Sequence, residues 1–320
     1  MTFWENKRVL VTGGAGFLGS FIVERLKKEQ VKEENIFIPR SKDYDLRKED
    51  EVDRLFKEFR PNIVIHAAVN GGGIGYAKEH PGSILYNNNM INTLIIEASR
   101  KYNVEKFVGV GSVCSYPKFT EVPFKEEDLW KGFPEETNAT YGMVKKMMML
   151  QTQSYKEQYG LNGIHLLLVN LYGPRDEFNP NRSHVIPSLI RKFDDAVSKK
   201  LDHIEVWGTG TASREFLYVE DAAEGIVLAA EKYNKSDPIN LGSGMEISIK
   251  NLTEKIANII GFKGKIIWDS SKPDGQMRRC LDVSKAEKEF GFRAKTSFDL
   301  GLKKTVDWYF NNIKTDIKNK

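Results

Sequence analysis

An apolar run followed by spaced glycines lies near the start of the chain: Val9-Leu10-Val11-Thr12-Gly13-Gly14-Ala15-Gly16-Phe17-Leu18-Gly19. The apolar run predicts a buried strand, and the glycines at intervals of three predict a tight turn that leads into a helix. The first glycine permits the turn, the second lets backbone N–H groups approach a pyrophosphate, and the third lets the helix pack on the strand. We predict a dinucleotide site here rather than a plain glycine turn, with contacts from Gly13, Gly16, Phe17, Leu18 and Gly19.

Short strands rich in valine and isoleucine alternate with helical stretches through the first half of the chain. Strands are predicted at 8–12, 35–39, 62–68, 106–112 and 163–171, and helices at 17–30, 49–59, 84–102 and 141–159. Strands of this kind, each followed by a helix, are typical of a sheet that helices cover on both faces. The predicted fold class is α/β, a doubly wound parallel sheet of the Rossmann type.

The pattern loosens after Gly173-Pro174, which indicates a second, smaller lobe. There we predict helices at 187–199, 219–233, 249–260 and 300–310, and a strand at 204–207. We expect an NADP-binding Rossmann domain at 1–174, with 216–243 returning to it. A smaller C-terminal substrate-binding lobe would comprise 175–215 and 244–320.

Composition excludes several classes of protein. The 320 residues include 48 basic and 44 acidic side chains, and these interspersed charges favour neither a nucleic-acid binder nor a polybasic membrane binder. Two cysteines cannot build a disulfide scaffold or a four-cysteine zinc site. No apolar run approaches the roughly 20 residues that a membrane helix needs. We expect a cytoplasmic globular protein without a metal centre.

The tip of the second predicted strand bears on the choice of cofactor. It reads Pro39-Arg40-Ser41-Lys42, without the acidic residue that would bind the ribose 2′-hydroxyl of NAD. A basic residue there accommodates the 2′-phosphate of NADP, so we predict NADP(H) with Arg40 as the phosphate contact. The alternative is a solvated basic turn. Asp45 and Leu46 are expected beside the adenine.

A hydroxyl, a phenol and an amine form a candidate proton relay. Ser112 ends the fourth predicted strand, and Tyr141 and Lys145 are four residues apart, so they share one face of a predicted helix. A phenol can protonate a ketone oxygen that receives a hydride, provided that a nearby lysine lowers its pKa. Tyr44–Lys48 and Tyr102–Lys106 have the same spacing, but only Tyr141 begins a long helix after a strand that ends in a hydroxyl.

With these residues in view, the chain resembles the extended short-chain dehydrogenase/reductase superfamily and, within it, the family of GDP-L-fucose synthases. The resemblance runs from the glycine turn to about Trp308, and several segments are specific to that family. They are Gly72-Gly73-Ile74, Ser112-Val113-Cys114-Ser115-Tyr116-Pro117-Lys118, Asn170-Leu171-Tyr172-Gly173-Pro174-Arg175-Asp176, Ser183-His184-Val185-Ile186-Pro187, Val206-Trp207-Gly208-Thr209-Gly210, Arg214-Glu215-Phe216-Leu217 and Lys272-Pro273-Asp274-Gly275.

The resemblance implies an NADPH-dependent enzyme that converts GDP-4-keto-6-deoxy-D-mannose to GDP-L-fucose by 3,5-epimerisation and 4-keto reduction. Ser112, Tyr141 and Lys145 then take the catalytic triad roles, and Cys114 and His184 take the acid/base roles of epimerisation. The alternatives are a related nucleotide-sugar reductase or epimerase that acts on another deoxy- or heptose-type sugar and, in a different class, a non-catalytic dinucleotide-binding regulator.

The resemblance also implies further contacts. Those expected at the cofactor are Ala67, Ala68, Gly111, Asn170, Leu171 and His184, together with Tyr141 and Lys145. Those expected at the nucleotide diphosphate of the substrate are Lys192, Trp207, Arg214, Lys265 and Arg279, with Trp207 as either a stacking surface or a hydrophobic plug. His66 is expected to pack beside the cofactor, and Cys280 is expected to be structural.

Relatives pair the helices predicted at 84–102 and 141–159 into a four-helix interface. The apolar residues Met147, Met148 and Met149 exceed what one face of a sheet needs, whereas ordinary core packing is the alternative. We therefore expect a homodimer.

Overall fold

The computed structural model describes residues 2–180, 182–272 and 274–318. Pro273, which belongs to one of the quoted segments, lies outside the described residues. Two sets of strands and helices are present, each around its own hydrophobic core.

The larger part is built on a six-stranded sheet in the order β2-β1-β3-β4-β5-β9, and every neighbouring pair is parallel. Its strands are β1 (Val9–Thr12), β2 (Ile36–Phe37), β3 (Ile63–His66), β4 (Lys106–Ser112), β5 (Gly163–Leu168) and β9 (Ile239–Leu241). All residues of β1, β3 and β5 are buried, which explains why their sequences are continuous apolar runs rather than alternating ones.

Helices cover both faces of this sheet, so the predicted doubly wound parallel sheet is confirmed. They are α1 (Phe17–Lys28), α2 (Glu49–Phe59), α3 (Ile74–Glu79), α4 (Pro81–Lys101), α5 (Ala139–Tyr159) and α7 (Val219–Lys232). Helix α1 packs against α7 on one face, and α4 packs against α5 and α2 on the other. The carboxyl ends of β1, β3 and β4 therefore open on one edge of the sheet, where binding sites of this fold form.

The smaller part has two short sheets and its own core. One sheet pairs β8 (Ser213–Tyr218) with β6 (Asn170–Tyr172) in parallel and with β10 (Glu246–Ser248) antiparallel, and the other pairs β7 (His203–Trp207) with β11 (Lys265–Asp269) in parallel. The helices of this part are α6 (Val185–Ser198), α8 (Ile249–Ile260) and α10 (Phe298–Lys318). Helix α9 (Ser284–Phe290) packs instead against α7 and β9 of the larger part.

Two predictions about the strands are corrected. The strand predicted at 163–171 breaks at Val169, because β5 ends in the large sheet while β6 begins in the small one. The apolar pattern gave no sign of the break, since both strands contribute to hydrophobic cores. Similarly, Phe216 to Tyr218 pair within the small sheet, and the return to the large sheet is made by α7 and β9.

The helices were also searched for a membrane span. None within the described ranges combines the length and the apolar character that crossing a bilayer requires.

Candidate active site

The glycine turn after β1 is closed so tightly that two of its positions exclude a side chain. Gly13 has a φ of +72°, and a Cβ there would lie 2.8 Å from the backbone nitrogen of Ala68. A Cβ on Gly19 would lie 2.1 Å from the carbonyl oxygen of Gly13. The turn therefore brings the end of β1, the segment Ala67–Ala68 after β3 and the first turn of α1 into contact.

The N-terminus of α1 is suited to an anion. Gly16 is its N-cap residue, and within the described part of the chain no side chain caps this end and no acidic residue occupies the first turn. Phe17 and Leu18 are half-buried in that first turn. Backbone N–H groups at the start of a helix, without a competing carboxylate, attract phosphate.

The basic turn predicted to read the ribose lies beside the glycine turn. The side chain of Ile38 lies 3.0 Å from where a Cβ of Gly14 would be, and Arg40 follows two residues later with an exposed side chain. Asp45 pairs with Arg47 at 2.8 Å, which lowers the pKa of the Asp45 carboxyl to about 2. Leu46 packs in the core that α2 covers.

A chain of buried hydrogen bonds stabilises this edge of the sheet. The N–H of Ala68 donates to Thr12 Oγ1 at 3.2 Å, Thr12 Oγ1 lies 2.7 Å from His66 Nδ1, and His66 Nε2 lies 2.9 Å from Asn92 Oδ1. Burial lowers the pKa of His66 to about 4, so the ring is neutral at physiological pH. His66 therefore ties β1, β3 and α4 together, as expected for a packing residue.

Ser112 and Cys114 occupy the turn at the end of β4. Ser112 Oγ accepts a hydrogen bond from the N–H of Cys114 at 3.2 Å and caps a short 3₁₀ helix, Val113–Ser115. Gly111 precedes them without room for a side chain, because a Cβ there would lie 2.3 Å from Nε2 of the buried His165. The Ser112 hydroxyl and the Cys114 thiol therefore lie close together at the carboxyl edge of the sheet.

Tyr141 and Lys145 lie one turn apart at the start of α5. Lys145 Nζ lies 5.6 Å from the centre of the Tyr141 ring and donates to the carbonyl oxygen of Val110 at 2.8 Å. Burial lowers the pKa of Lys145 to about 8, whereas burial and the neighbouring Cys114 raise the pKa of Tyr141 above its usual value. The expected lowering of the phenol pKa is thus corrected: burial and Cys114 raise this pKa, and the phenol stays protonated at neutral pH.

The other two Tyr–Lys pairs of the same spacing lie in structural networks. The hydroxyl of Tyr102 donates to Asp53, and that of Tyr44 donates to Glu58. Lys106 Nζ donates to the carbonyl oxygen of Tyr233 and to Asn234 Oδ1. Among these pairs, only Tyr141 and Lys145 lie beside Ser112 and Cys114.

Two arginines from the smaller part reach the thiol. Arg279 Nη1 lies 3.7 Å from Cys114 Sγ, and the Arg279 side chain is only 7% exposed. Arg214 donates from Nη1 to the carbonyl oxygens of Ser213 and Gln276, at 2.7 and 2.6 Å. Burial and the positive charge of Arg279 lower the pKa of Arg214 to about 10. The structure therefore brings together four predicted site residues: Cys114, Tyr141, Arg214 and Arg279.

His184 forms the N-cap of α6, with its backbone oxygen accepting from Ser188 at 3.0 Å. Its side chain is exposed, yet the surrounding protein lowers its pKa by desolvation. Asn170 donates from Nδ2 to the carbonyl oxygen of Glu215 at 2.9 Å, and Leu171 packs half-buried on the large core.

Three predicted substrate contacts lie on the smaller part. Lys192 is exposed and donates to the carbonyl oxygen of Glu205 at 2.6 Å. Trp207 is 68% exposed, with Lys272 Nζ 5.8 Å from its ring centre, so it is not a hydrophobic plug. Lys265 begins β11, and Asp269 at the other end is the residue that pairs with Trp207. Lys265 therefore lies about 13 Å along the strand from the end at which Trp207 is paired.

The sequence reasoning missed the scaffold that holds the two arginines. The carboxylate of the buried Glu215 accepts from the N–H groups of Ser243, Gly244 and Leu281 at 2.6 to 2.7 Å. Asp274 and Gln276 supply further oxygens to Arg214 and Arg279. The family-specific segments that contain Glu215 and Asp274 were the available signal, but the sequence does not show which backbone groups they bind.

Metal chemistry has no evident centre here. Over the part of the chain that the structure describes, no group of three or more histidine, cysteine, aspartate or glutamate side chains could hold a metal ion.

Residues 9–242 match the model of the NAD dependent epimerase/dehydratase family. The chain is 39% identical over 313 residues to the GDP-L-fucose synthase of Sinorhizobium fredii (strain NBRC 101917 / NGR234), with 98% of each chain covered. It is 35% identical over 317 residues to the GDP-L-fucose synthase of Escherichia coli (strain K12), covering 96% of this chain and 98% of the relative.

Two solved structures are similar over nearly their whole length. A GDP-L-fucose synthetase from Naegleria fowleri bound to NADP has a TM-score of 0.88 at 30% identity, covering 98% of this chain and 97% of that one. A GDP-6-OMe-4-keto-L-xylo-heptose reductase from C. jejuni has a TM-score of 0.90 at 29% identity, covering 97% and 99%. The chain therefore belongs to the NAD dependent epimerase/dehydratase family and, within it, to the family of the GDP-L-fucose synthases.

Proposed function

We propose that this protein converts GDP-4-keto-6-deoxy-D-mannose to GDP-L-fucose, with NADPH as the reductant. It epimerises carbons 3 and 5 of the sugar and then reduces the keto group at carbon 4. The observation that carries this proposal is that side chains suited to proton exchange and side chains suited to ketone reduction lie together at one edge of the sheet. A thiol, Cys114, adjoins a phenol and amine, Tyr141 and Lys145, so proton exchange and ketone reduction share one carbonyl.

NADP(H) fits the glycine turn. The tight glycine turn and the uncapped start of α1 suit a pyrophosphate. Arg40 is the candidate contact of the 2′-phosphate, and Ala67, Ala68, Gly111, Asn170 and Leu171 line the same edge. The similar structure from Naegleria fowleri, which has NADP bound, supports the choice of NADP. When bound, this cofactor supplies the hydride.

Epimerisation needs one group to remove a proton and another to return one on the opposite face of the sugar. Cys114 acts as the base: its thiolate takes the proton from the carbon beside the keto group, and the electron pair of the C–H bond moves into an enolate. Tyr141 and Ser112 stabilise the enolate oxygen by hydrogen bonds. His184 delivers the new proton, since an imidazole changes charge close to neutral pH.

Reduction uses the same carbonyl after the stereocentres have inverted. The raised pKa of Tyr141 keeps its proton in place until the carbonyl oxygen gains negative charge and accepts it. Lys145, with a pKa lowered to about 8, is still mostly protonated at neutral pH. Its ammonium therefore stabilises the phenolate that remains.

The nucleotide part of the substrate binds to the smaller part of the protein. Arg214, Arg279 and Lys192 supply positive charge for the diphosphate, and the exposed ring of Trp207 offers a stacking face for the base. Lys265 is left out of this set because of its place at the far end of β11. We accordingly assign cofactor binding to the larger part, which includes α7, β9 and α9, and binding of the nucleotide to the smaller part, which includes β6 and β8.

A 4-keto reductase that acts on a GDP-heptose is the second candidate, favoured by the TM-score of 0.90 to the C. jejuni reductase. Reduction alone requires Tyr141 and Lys145 but no second acid/base pair. The presence of Cys114 and His184 therefore favours the enzyme that also exchanges protons.

The protein forms a homodimer through α4 and α5. Their outer face exposes Met147 (48%) and Leu150 (42%), and a groove between the helices of about 420 Å³ is lined by Asn89, Asn92, Thr93, Gln151, Ser154 and Tyr155 among others. Met148 also lines this groove but is only 1% exposed, and Met149 is buried in the core, so Met147 is the one of the three methionines that is exposed on this face. The cytoplasmic location expected from the sequence stays a prediction.

The test is incubation of the purified protein with NADPH and either GDP-4-keto-6-deoxy-D-mannose or a GDP-4-keto-heptose. We expect faster NADPH consumption with the deoxymannose compound, and NMR of the product should show inverted centres at carbons 3 and 5. A product reduced at carbon 4 without inversion, or preferred use of the heptose, would refute the proposal.

A further inference from the structure

Arg279 and Cys114 come from distant parts of the chain and meet at the proposed base. Arg279 Nη1 is 3.7 Å from Cys114 Sγ, within the range of a hydrogen bond to sulfur. The guanidinium is almost fully buried, whereas the thiol is half-buried. A buried positive charge is costly unless an anion compensates it.

The buried positive charge of Arg279 is not compensated by a carboxylate in direct contact with it. Within residues 2–180, 182–272 and 274–318, neither Arg279 nor Arg214 forms an ion pair with a carboxylate, whereas the neighbouring Arg278 pairs with Glu246 at 2.6 Å. Arg279 instead donates from Nε to the amide oxygen of Gln276 at 3.1 Å. The group that its Nη1 faces is the sulfur of Cys114.

The guanidinium is held in place by its backbone. The N–H of Glu215 donates to the carbonyl oxygen of Arg279 at 3.0 Å, and the carboxylate of Glu215 accepts from Leu281 N two residues further on. The same carboxylate binds the backbone at Ser243 and Gly244. Glu215 of β8 therefore holds the backbone at Arg279 and at Leu281, and the Arg279 side chain points to the turn after β4.

Charged groups of both signs surround the sulfur. Arg279 approaches from the 279–281 segment and Arg214 from β8, and the charges of Arg214 and Cys114 act on each other. Tyr141 faces the sulfur from α5 and is neutral at physiological pH. The carboxylates of Glu135 and Asp274 act on Arg214, whereas the positive group in contact with the sulfur is Arg279.

We propose that Arg279 is a positioning residue for the proton-exchange step: its guanidinium is the counter-ion of the Cys114 thiolate and holds the sulfur as the base. This assignment rests on the proposed function and goes beyond the diphosphate contact expected of Arg279. When the thiolate takes a sugar proton, the negative charge moves to the enolate, and Arg279 remains beside both.

Alkylation of the substrate-free protein by iodoacetamide tests the proposal, because the thiolate is the reactive form. The rate at Cys114 is followed across the neutral and alkaline pH range by peptide mapping. Cys280 serves as an internal reference, since burial and Glu215 raise its pKa to about 12. The variants are Arg279→Gln, Arg279→Lys and the matched control Arg278→Gln.

We expect Arg279→Gln to slow alkylation at neutral pH roughly tenfold, since an adjacent opposite charge favours the ionised form by about that factor or more. At alkaline pH the two rates should converge, which separates loss of charge from loss of access. Arg279→Lys should recover most of the neutral rate, and Arg278→Gln should match the unmodified protein. Identical pH profiles for Arg279→Gln and the unmodified protein would overturn the proposal.

A second measurement covers the case in which Arg279→Gln does not fold. The ultraviolet difference spectrum between the unmodified protein and Cys114→Ser reports the thiolate directly, and Arg279→Lys should retain that signal. Absence of a thiolate signal at neutral pH would also overturn the proposal. Both assays use no sugar nucleotide, so a different substrate would refute the proposed function and leave this result standing.

Discussion

Gly142 lies against Cys114: a Cβ on residue 142 would be 2.2 Å from the carbonyl oxygen of Cys114. The start of α5 therefore rests directly on the turn after β4. Tyr141, the residue before Gly142, adjoins the thiol as a result. The groups proposed for reduction and for proton exchange thus form one rigid unit, and their separate roles must be distinguished by variants that do not disturb this contact.

Tyr141→Phe removes only the phenolic oxygen and should abolish the proton donor of reduction. We expect NADPH consumption with the keto sugar to fall by about 10² to 10⁴, the usual contribution of a positioned acid. Exchange of the carbon 3 and 5 protons with deuterated solvent should continue more slowly, because one donor to the enolate is lost. NMR beside absorbance measures both, and reduction at an unchanged rate would contradict the assignment.

Cys114→Ser keeps nearly the same volume but replaces the thiol with a hydroxyl that hardly ionises. Solvent deuterium should no longer enter the sugar at a measurable fraction of the normal rate. NADPH should still bind and reduce the keto group, which gives the unepimerised product. Cys280→Ser makes the same substitution at the other cysteine, which lies beside Glu215 and not at the proposed base, and is the control. Deuterium incorporation at the normal rate in Cys114→Ser would show that the thiol is structural.

Arg40→Ala tests the cofactor preference. Loss of a charged contact to the 2′-phosphate should lower kcat/KM for NADPH by about tenfold or more, since hydrogen bonds to charged groups contribute about 1.5–3 kcal/mol. The value for NADH should hardly change, because NADH lacks this phosphate. Lys32→Ala, another exposed basic position, is the matched control. Equal use of both cofactors by the unmodified protein would refute the preference itself.

Asp176 predicts a pH-dependent stability. Burial raises the pKa of its carboxyl to about 7, and Oδ2 finds no hydrogen-bond partner among the described residues. A raised folded-state pKa stabilises the protein below the unfolded value of about 3.9, and this contribution is lost as the pH rises through 7. Asp176→Asn keeps an oxygen for the N–H of Glu177 and removes the charge. Its Tm should exceed that of the unmodified protein at pH above 7, with a smaller difference in mild acid.

The neighbouring Glu177 offers a second, weaker variant. Its negative charge contributes to the raised pKa of the Asp176 carboxyl, so Glu177→Gln should reduce the pH dependence of Tm by less than Asp176→Asn does. A difference in Tm between Asp176→Asn and the unmodified protein that is constant from mild acid to mild base would contradict the raised pKa.

Leu150→Glu tests the proposed dimer. A carboxylate at this exposed apolar position of the proposed interface is costly to bury, so we expect light scattering to report a monomer mass at micromolar concentration. Leu300→Glu, an exposed apolar position on α10, should leave the mass of the dimer unchanged. A monomer mass for the unmodified protein would refute the dimer directly.

Local patterns predicted individual elements in both parts of the protein well. The strand at 106–112 and the helix at 249–260 have the observed bounds, because apolar runs and turn signals mark both ends. Contacts between distant segments were harder to predict from the sequence. Lys265 matched a family position but lies at the far end of β11, and the meeting of Arg279 with Cys114 depends on Glu215 and the 243–244 backbone. A single sequence shows neither the register of two short strands nor the hydrogen bonds of a buried carboxylate.

The break at Val169 limits how this protein can be divided. A fragment that ends at residue 174 would contain the glycine turn and the Tyr141–Lys145 pair but lack α7 and β9. The edge of β5 at Leu166 to Leu168 and the face of α1 that α7 covers would then face water. Such a fragment would present an unpaired apolar strand edge and tend to aggregate. An engineered cofactor-binding module would have to keep α7 and β9, which cover α1 and pair with β5.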